Sequence, residues 1–155
     1  MTRLLFATAI IAAAVVGGWY AFSTEGAITT FFSTDAPGAT SVFRYINASQ
    51  DDIFLISPQP GESVTTTIPL HGFARGPWYF EATFPVEVRD ANGKVIGSSQ
   101  AKAQSDWMTE SFVPFTAELD LKVLYNGAAT IVLKKDNPSG DPSKDATLSF
   151  PVMIQ

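Results

Sequence analysis

The sequence predicts an all-β chain, an antiparallel β-sandwich of about seven strands preceded by one N-terminal apolar helix. Three observations carry this reading. Apolar and polar residues alternate with period two through much of residues 53–155, Asn-Gly and Pro-rich turn signals punctuate the alternation, and one long uncharged apolar run, Leu4–Phe22, stands at the N-terminus. Successive strand residues point to opposite faces of a sheet, so a period of two places one set in a core and the other in solvent.

Met1-Thr2-Arg3 is a short basic start, and no charge interrupts the following 19 residues, Leu4–Phe22. As a helix these would span about 28 Å, close to the hydrocarbon thickness of a bilayer. Trp19 and Tyr20 close the run, where amphipathic rings favour the headgroup level. Residues 1–22 are therefore expected to be a signal anchor with the remaining chain outside the cytoplasm. The competing reading is a cleaved signal peptide, for which Val16-Gly17-Gly18 and Thr24-Glu25-Gly26 offer the usable sites.

Residues 23–52 turn to Ser, Thr, Ala and Gly, the composition of a tether. Phe31-Phe32 and Val42-Phe43-Arg44-Tyr45-Ile46 interrupt it and are expected to dock on the domain, lie on the membrane or add a strand.

Residues 53–155 carry the strands. Phe80, Ala82, Phe84, Val86 and Val88 alternate with Glu81, Thr83, Pro85 and Glu87; Phe115, Ala117, Leu119 and Leu121 alternate with Thr116, Glu118 and Asp120. Leu148, Phe150, Val152 and Ile154 form a third set, and residues 53–56, 64–74, 94–103 and 128–133 give weaker strands. Asp90-Ala91-Asn92-Gly93 is a hairpin signal, with positive φ expected at both Asn92 and Gly93. Asn126-Gly127 repeats it, and Ser57-Pro58-Gln59-Pro60-Gly61 is a rigid connection. Pro85 and Pro151 are expected on edge strands or at bulges. Seven short strands with two facing apolar sets and no soluble helix give an immunoglobulin-like sandwich.

Composition narrows the function. Fifteen acidic against ten basic residues leave a net charge of −5, which argues against a nucleic-acid phosphate binder. Cysteine is absent, so disulfides, thiolate metal sites and a cysteine nucleophile are excluded. The single His71 shares strand parity with Thr67, Pro69 and Phe73 and is expected to face outward. With one histidine there is no ordinary zinc ligand set, and no Gly-x-Ser-x-Gly turn supports a triad. Glu81, Asp106 and Glu110 are available carboxylates, but their spacing does not show that they converge across a cleft. No catalytic residue, cofactor or metal is therefore expected.

From Ile53 to Ile154 the chain resembles the immunoglobulin-like domain family of bacterial spore germination and sporulation proteins. The landmarks are Ser57–Gly61, Gly72–Gly76, Trp78 with Phe80-Glu81-Ala82, and the Asp90–Gly93 turn with Lys94–Gly97. Asp106-Trp107-Met108-Thr109, Phe112–Phe115 and Asp136-Asn137-Pro138-Ser139-Gly140 complete them. The resemblance implies a small extracytoplasmic β-sandwich without catalytic activity, often carried beside other germination-related domains or behind one anchor. A companion domain is not seen in this chain, so envelope functions unrelated to germination are also expected.

Candidate binding residues cluster in three loops. Trp78, Tyr79, Phe80 and Trp107 offer apolar faces to cell-wall sugars if exposed, whereas Phe80 belongs to the core alternation and Trp107 fits a buried structural Trp. Arg75 and Asp106 are expected to brace the loops as an ion pair or to form a patch for a carboxylate-bearing partner. Asp136 and Asn137 open an acidic loop ending at Asp145. It reads as a turn that caps its own backbone, because Pro138 occupies a position where a calcium loop needs a ligand. The expectation is a noncatalytic, membrane-anchored binding or scaffolding module of the cell envelope, with a protein partner, or alternatively a peptidoglycan or other glycan.

Overall fold

The computed structural model describes residues 42–155. The segment expected to be an anchor, residues 1–22, and most of the tether lie outside the described residues.

Nine strands form in chain order: β1 (Arg44–Ile46), β2 (Ile53–Ser57), β3 (Ser63–Val64), β4 (Thr67–Arg75), β5 (Thr83–Asp90), β6 (Val95–Ala103), β7 (Phe112–Asp120), β8 (Gly127–Lys134) and β9 (Thr147–Ile154). Seven correspond to the predicted strands. The other two are β1, which docks the end of the expected tether antiparallel on β9, and the two-residue β3, parallel to β9. The folded unit thus begins before residue 53. Apart from 3-10 turns at Gly76–Trp78 and Pro142–Lys144, no helix forms among the described residues.

The strands make one curled sheet in the order β1-β9-β8-β5-β6-β7-β4-β2 rather than two separate sheets. The link is β6, which pairs along its length with β5 and, at Lys102 and Ala103, with β7. All the pairings are antiparallel except that of β3. The inward sets interlock as expected: Phe84, Val86 and Val88 meet Phe115, Leu119, Ile131, Leu133, Leu148 and Phe150, all at most 1% exposed. His71 faces outward as expected.

Local expectations need three corrections. The hairpin at residues 90–93 forms, but positive φ occurs at Gly93 alone. Asp90 instead closes the turn with its carbonyl accepting from Gly93 N–H, and its carboxylate accepts from Asn92 and Lys94 N–H at 2.8 and 2.9 Å. Neither β5 nor β9 is an edge strand, yet each proline lies where one side of its strand has no partner strand, the Pro151 carbonyl there accepting from Gly61 N–H at 2.8 Å. Pro85 precedes the β8 pairing, which starts at Val86, and Pro151 falls between the residues paired to β1 and to β3. Finally, the alternation of β5 begins at Thr83, so Phe80 is 43% exposed instead of part of the core.

The antiparallel register sorts the connections to two ends. Arg75 lies opposite Phe112, Thr83 opposite Lys102 and Lys134 opposite Thr147. The connections 76–82, 104–111 and 135–146 therefore share one end, here called the loop end. The 91–94 hairpin and residues 121–126 lie at the other, the far end.

On the outer face, Glu87 of β5 bridges Arg89 at 2.8 Å and Lys134 of β8. Partial burial pulls the Glu87 carboxyl upward, but the hydrogen bonds from Lys134 and Arg89 outweigh it and hold it below its ordinary 4.5. A carboxylate with a depressed folded value adds stability above its unfolded value and loses it as pH falls through the folded one. Glu87→Gln should therefore cost about 0.5–1 kcal/mol near neutrality. The difference from wild type should vanish well below pH 4.5. Urea unfolding at neutral and acid pH reads both arms.

Candidate functional site

The loop end is built around the turn that closes β4. Pro77 takes the second position of the 3-10 turn Gly76–Trp78, within the first turn, where its fixed φ suits the geometry and no N–H is needed for a bond inside the turn. Gly76 is required by proximity: an added Cβ would lie 1.7 Å from the Thr109 carbonyl oxygen and 2.5 Å from that of Trp107. Its N–H donates to Ser111 O at 3.2 Å. The first loop is thus seated directly on the second. The third is tied to it by Asp136 N–H, which donates to Trp78 O at 3.0 Å. The three loops suspected from sequence form one continuous surface.

Beyond the turn, Glu81 and Ala82 both take positive φ, 48° and 62°. This strained pair, costly for residues with a Cβ, carries Phe80 outward. Trp78 and Tyr79 are turned inward, at 3% and 4% exposure. Both rings meet Phe84 edge-on, with centroids 6.3 and 5.2 Å away. The Tyr79 hydroxyl donates to Val113 O at 2.9 Å, and burial pushes its pKa well above the ordinary tyrosine value. The indole Nε1 of Trp78 is buried without a hydrogen-bond partner among the described residues. The sugar platform proposed from Trp78 and Tyr79 is therefore overturned, since neither ring offers a face to solvent. Trp107 is half-buried against the core, the structural placement expected of it.

Arg75 does not pair with Asp106. Its Nε donates to Asp51 O, its Nη1 donates to Glu110 O at 2.9 Å, and its guanidinium lies over the Phe112 ring, 4.6 Å from the centroid. It braces the loops as foreseen, but through backbone carbonyls. Asp106 closes its own turn, accepting from Met108 N–H at 3.0 Å. Its reach is local, and both side chains act on the 104–111 loop, Arg75 at Glu110 O and Asp106 at Met108 N–H.

The 136–145 loop caps itself, as its composition indicates. Asn137 Nδ2 donates to Asp141 O at 2.8 Å and to an Asp145 carboxylate oxygen at 2.7 Å, while Ser139 donates to Asn137 Oδ1 at 2.6 Å. Asp141 accepts from the Ser143 N–H and hydroxyl at 2.9 and 2.8 Å, and these bonds hold its carboxyl below the ordinary aspartate value. Asn47 also ties this loop to the start of the domain by donating to Asp145 O at 2.9 Å.

Pro77 divides the surface into two shallow grooves. The larger, about 300 Å³, runs past Arg75, Trp78, Glu110 and Asp145; the smaller, about 280 Å³, runs past Tyr79, Phe80 and Asn137. Lys135 and Lys144 line both. Among the described residues neither lysine is in an ion pair, whereas the Asp52 and Asp145 carboxylates already accept hydrogen bonds from Ser49 and Asn137. The sequence reading misses these lysines. They lie nine residues apart in the chain and carry no motif, so only the fold brings them together. The Glu110 and Asp136 carboxylates line the larger and the smaller groove respectively. Of Glu81, Asp106 and Glu110, Glu110 lines the larger groove, and His71 stands on β4 between Ser57 and Thr116 in the register.

Residues 52–141 match the family described as the immunoglobulin-like domain of bacterial spore germination. No curated protein and no solved structure matches the chain.

Proposed function

We propose, since the chain belongs to the immunoglobulin-like domain family of bacterial spore germination, that it is a noncatalytic binding and scaffolding module of the cell envelope. In this reading residues 4–22 anchor it in the membrane, and the loop end holds a protein partner outside the cytoplasm.

The observation that carries the reading is the convergence of three separate connections on one rigid surface, with Lys135 and Lys144 on both sides of Pro77. Loops held by a stiff scaffold are the usual place for recognition. The partner would present carboxylates to the two lysines, a charge arrangement that steers encounter and fixes orientation. Strand addition is the less supported route. At the β2 edge, Ser49 O accepts from Ile53 N–H, and Gln59 Nε2 donates to Leu55 O and Ile56 O. A guest strand would have to displace these bonds.

Lys135→Glu with Lys144→Glu tests the reading. Both are surface changes away from the core, so unfolding should shift by no more than about 0.5 kcal/mol. Chemical crosslinking in membranes should lose its partner adduct several-fold. An unchanged adduct from the folded double variant would refute the assignment. Purified sacculi provide the glycan arm: with Trp78 and Tyr79 buried, salt-resistant co-sedimentation is not expected.

A further inference from the structure

The far end carries a different kind of surface. Leu124 is 99% exposed, Val123 46% and Val95 45%. These residues are neighbours in space, because Lys122 N–H donates to Ile96 O at 2.8 Å and Gly97 bridges Leu121. The loop is held in this form. The Tyr125 hydroxyl donates to Ala128 O at 2.7 Å and accepts from Ala91 N–H at 3.3 Å, so Leu124 projects from an anchored turn.

Lys94 and Lys122 are exposed beside this tip. Of the nearby polar groups, Asp90 caps its hairpin, Asp120 accepts from the Thr67 hydroxyl at 2.7 Å and Lys122 Nζ donates to Ser98 Oγ at 2.8 Å. An apolar point flanked by lysines matches the anionic surface of a bilayer, where apolar groups enter the acyl boundary and cations meet the headgroup charge.

The path of the chain favours the same occupant. Ile46 lies opposite Thr147 and Arg44 opposite Ser149, so β1 arrives from the far end. The 19 residues from 23 to 41 separate Val42 from the expected anchor. Nineteen residues reach at most about 65 Å even when fully extended, which keeps the domain within reach of the membrane.

We infer that the Val123-Leu124 tip, with Val95, Lys94 and Lys122, rests in the surface of an anionic lipid bilayer and turns the loop end outward. The inference builds on the membrane anchoring proposed above. Because the chain has no cysteine, single nitroxide labels can be placed at Leu124→Cys and, as a loop-end control, at the 75%-exposed Met108→Cys. The full chain is reconstituted in phosphatidylcholine vesicles with and without phosphatidylglycerol. The expected result is flotation of the chain, with an oxygen-to-nickel-chelate accessibility ratio several-fold higher at 124 than at 108. Lys94→Glu with Lys122→Glu should reduce that ratio in the anionic vesicles. A chain that floats with both labels equally wet overturns the tip and leaves the anchor standing. Dipolar broadening at 124 that persists on lipid dilution assigns the tip to a second copy and also overturns the inference. A chain that does not float overturns the anchor and the tip together.

Discussion

Gly76→Ala should lower the melting temperature by about 15 °C or more, or prevent folding, the largest effect expected of any single methyl group in this domain. The added Cβ would stand 1.7 Å from Thr109 O, 2.5 Å from Trp107 O and 2.7 Å from Thr109 C. All three are backbone atoms, so no side chain can rotate away. The 76–82 and 104–111 connections would have to separate by more than an ångström, losing the bond from Gly76 N–H to Ser111 O and the brace from Arg75 to Glu110 O. Overpacking costs about 1–3 kcal/mol and more where the obstacle is immobile backbone, so about 3 kcal/mol or more is expected here. At about 4–8 °C per kcal/mol for a domain near this size, that gives the stated shift. Gly93→Ala is the control. Gly93 has φ +82° and nothing within 4 Å of an added Cβ, so only the backbone preference is lost, about 1 kcal/mol. Thermal melts of the two variants separate steric contact from glycine's conformational freedom. Equal, small shifts would contradict the close packing of the first two loops.

Phe84→Ala is expected to cost about 4 kcal/mol in urea unfolding. Phe84 is fully buried, and its ring is the shared partner of Trp78, Tyr79 and Phe115, with centroids 6.3, 5.2 and 5.0 Å away. Removing it leaves a cavity beneath the loop end and deprives three aromatic rings of edge-on contacts. The damage should therefore be local as well as global. Near-ultraviolet dichroism of the still-folded fraction should weaken, and binding at the loop end should fall even at temperatures where the domain is folded. Phe84→Leu, which keeps most of the volume, should recover more than half of the lost stability. A loss below about 1 kcal/mol for the alanine variant would mean that these rings do not share one core.

The strands were legible because half-buried antiparallel strands print their two faces directly into residue order. Ile68, Leu70, Phe115, Leu119, Phe150 and Val152 are buried as their parity requires. The reading failed where the backbone leaves the period without a glycine or asparagine to announce it. Phe80 and Phe84 look equivalent in the chain, but the positive φ of Glu81 and Ala82 separates an exposed ring from the centre of the core. Trp78 and Tyr79, in and beside the 3-10 turn that precedes this kink, are buried and offer no open face for a sugar platform. The 136–145 loop was legible for the opposite reason: its capping bonds join residues two to eight apart. Arg75 was only half legible. Its role is met by the carbonyls of Asp51 and Glu110, and any residue type can supply a carbonyl. Lys135 and Lys144 were not legible, because what joins them is the β8–β9 register and the turn at Pro77.

These features give the two ends of the domain different chemistry. One end is a polar, multiply braced loop surface, and the other an apolar tip beside two lysines. In the proposed function the first of these holds the partner. Site-specific photocrosslinking tests it most directly, with p-benzoyl-phenylalanine placed at Lys144 in the groove or at Glu118, an exposed β7 position away from the loops. In intact membranes carrying the full chain, Lys144 should give one discrete adduct that Lys135→Glu diminishes, and Glu118 should give none. An adduct at Glu118 with none at Lys144 would contradict the account and move recognition to the sheet face.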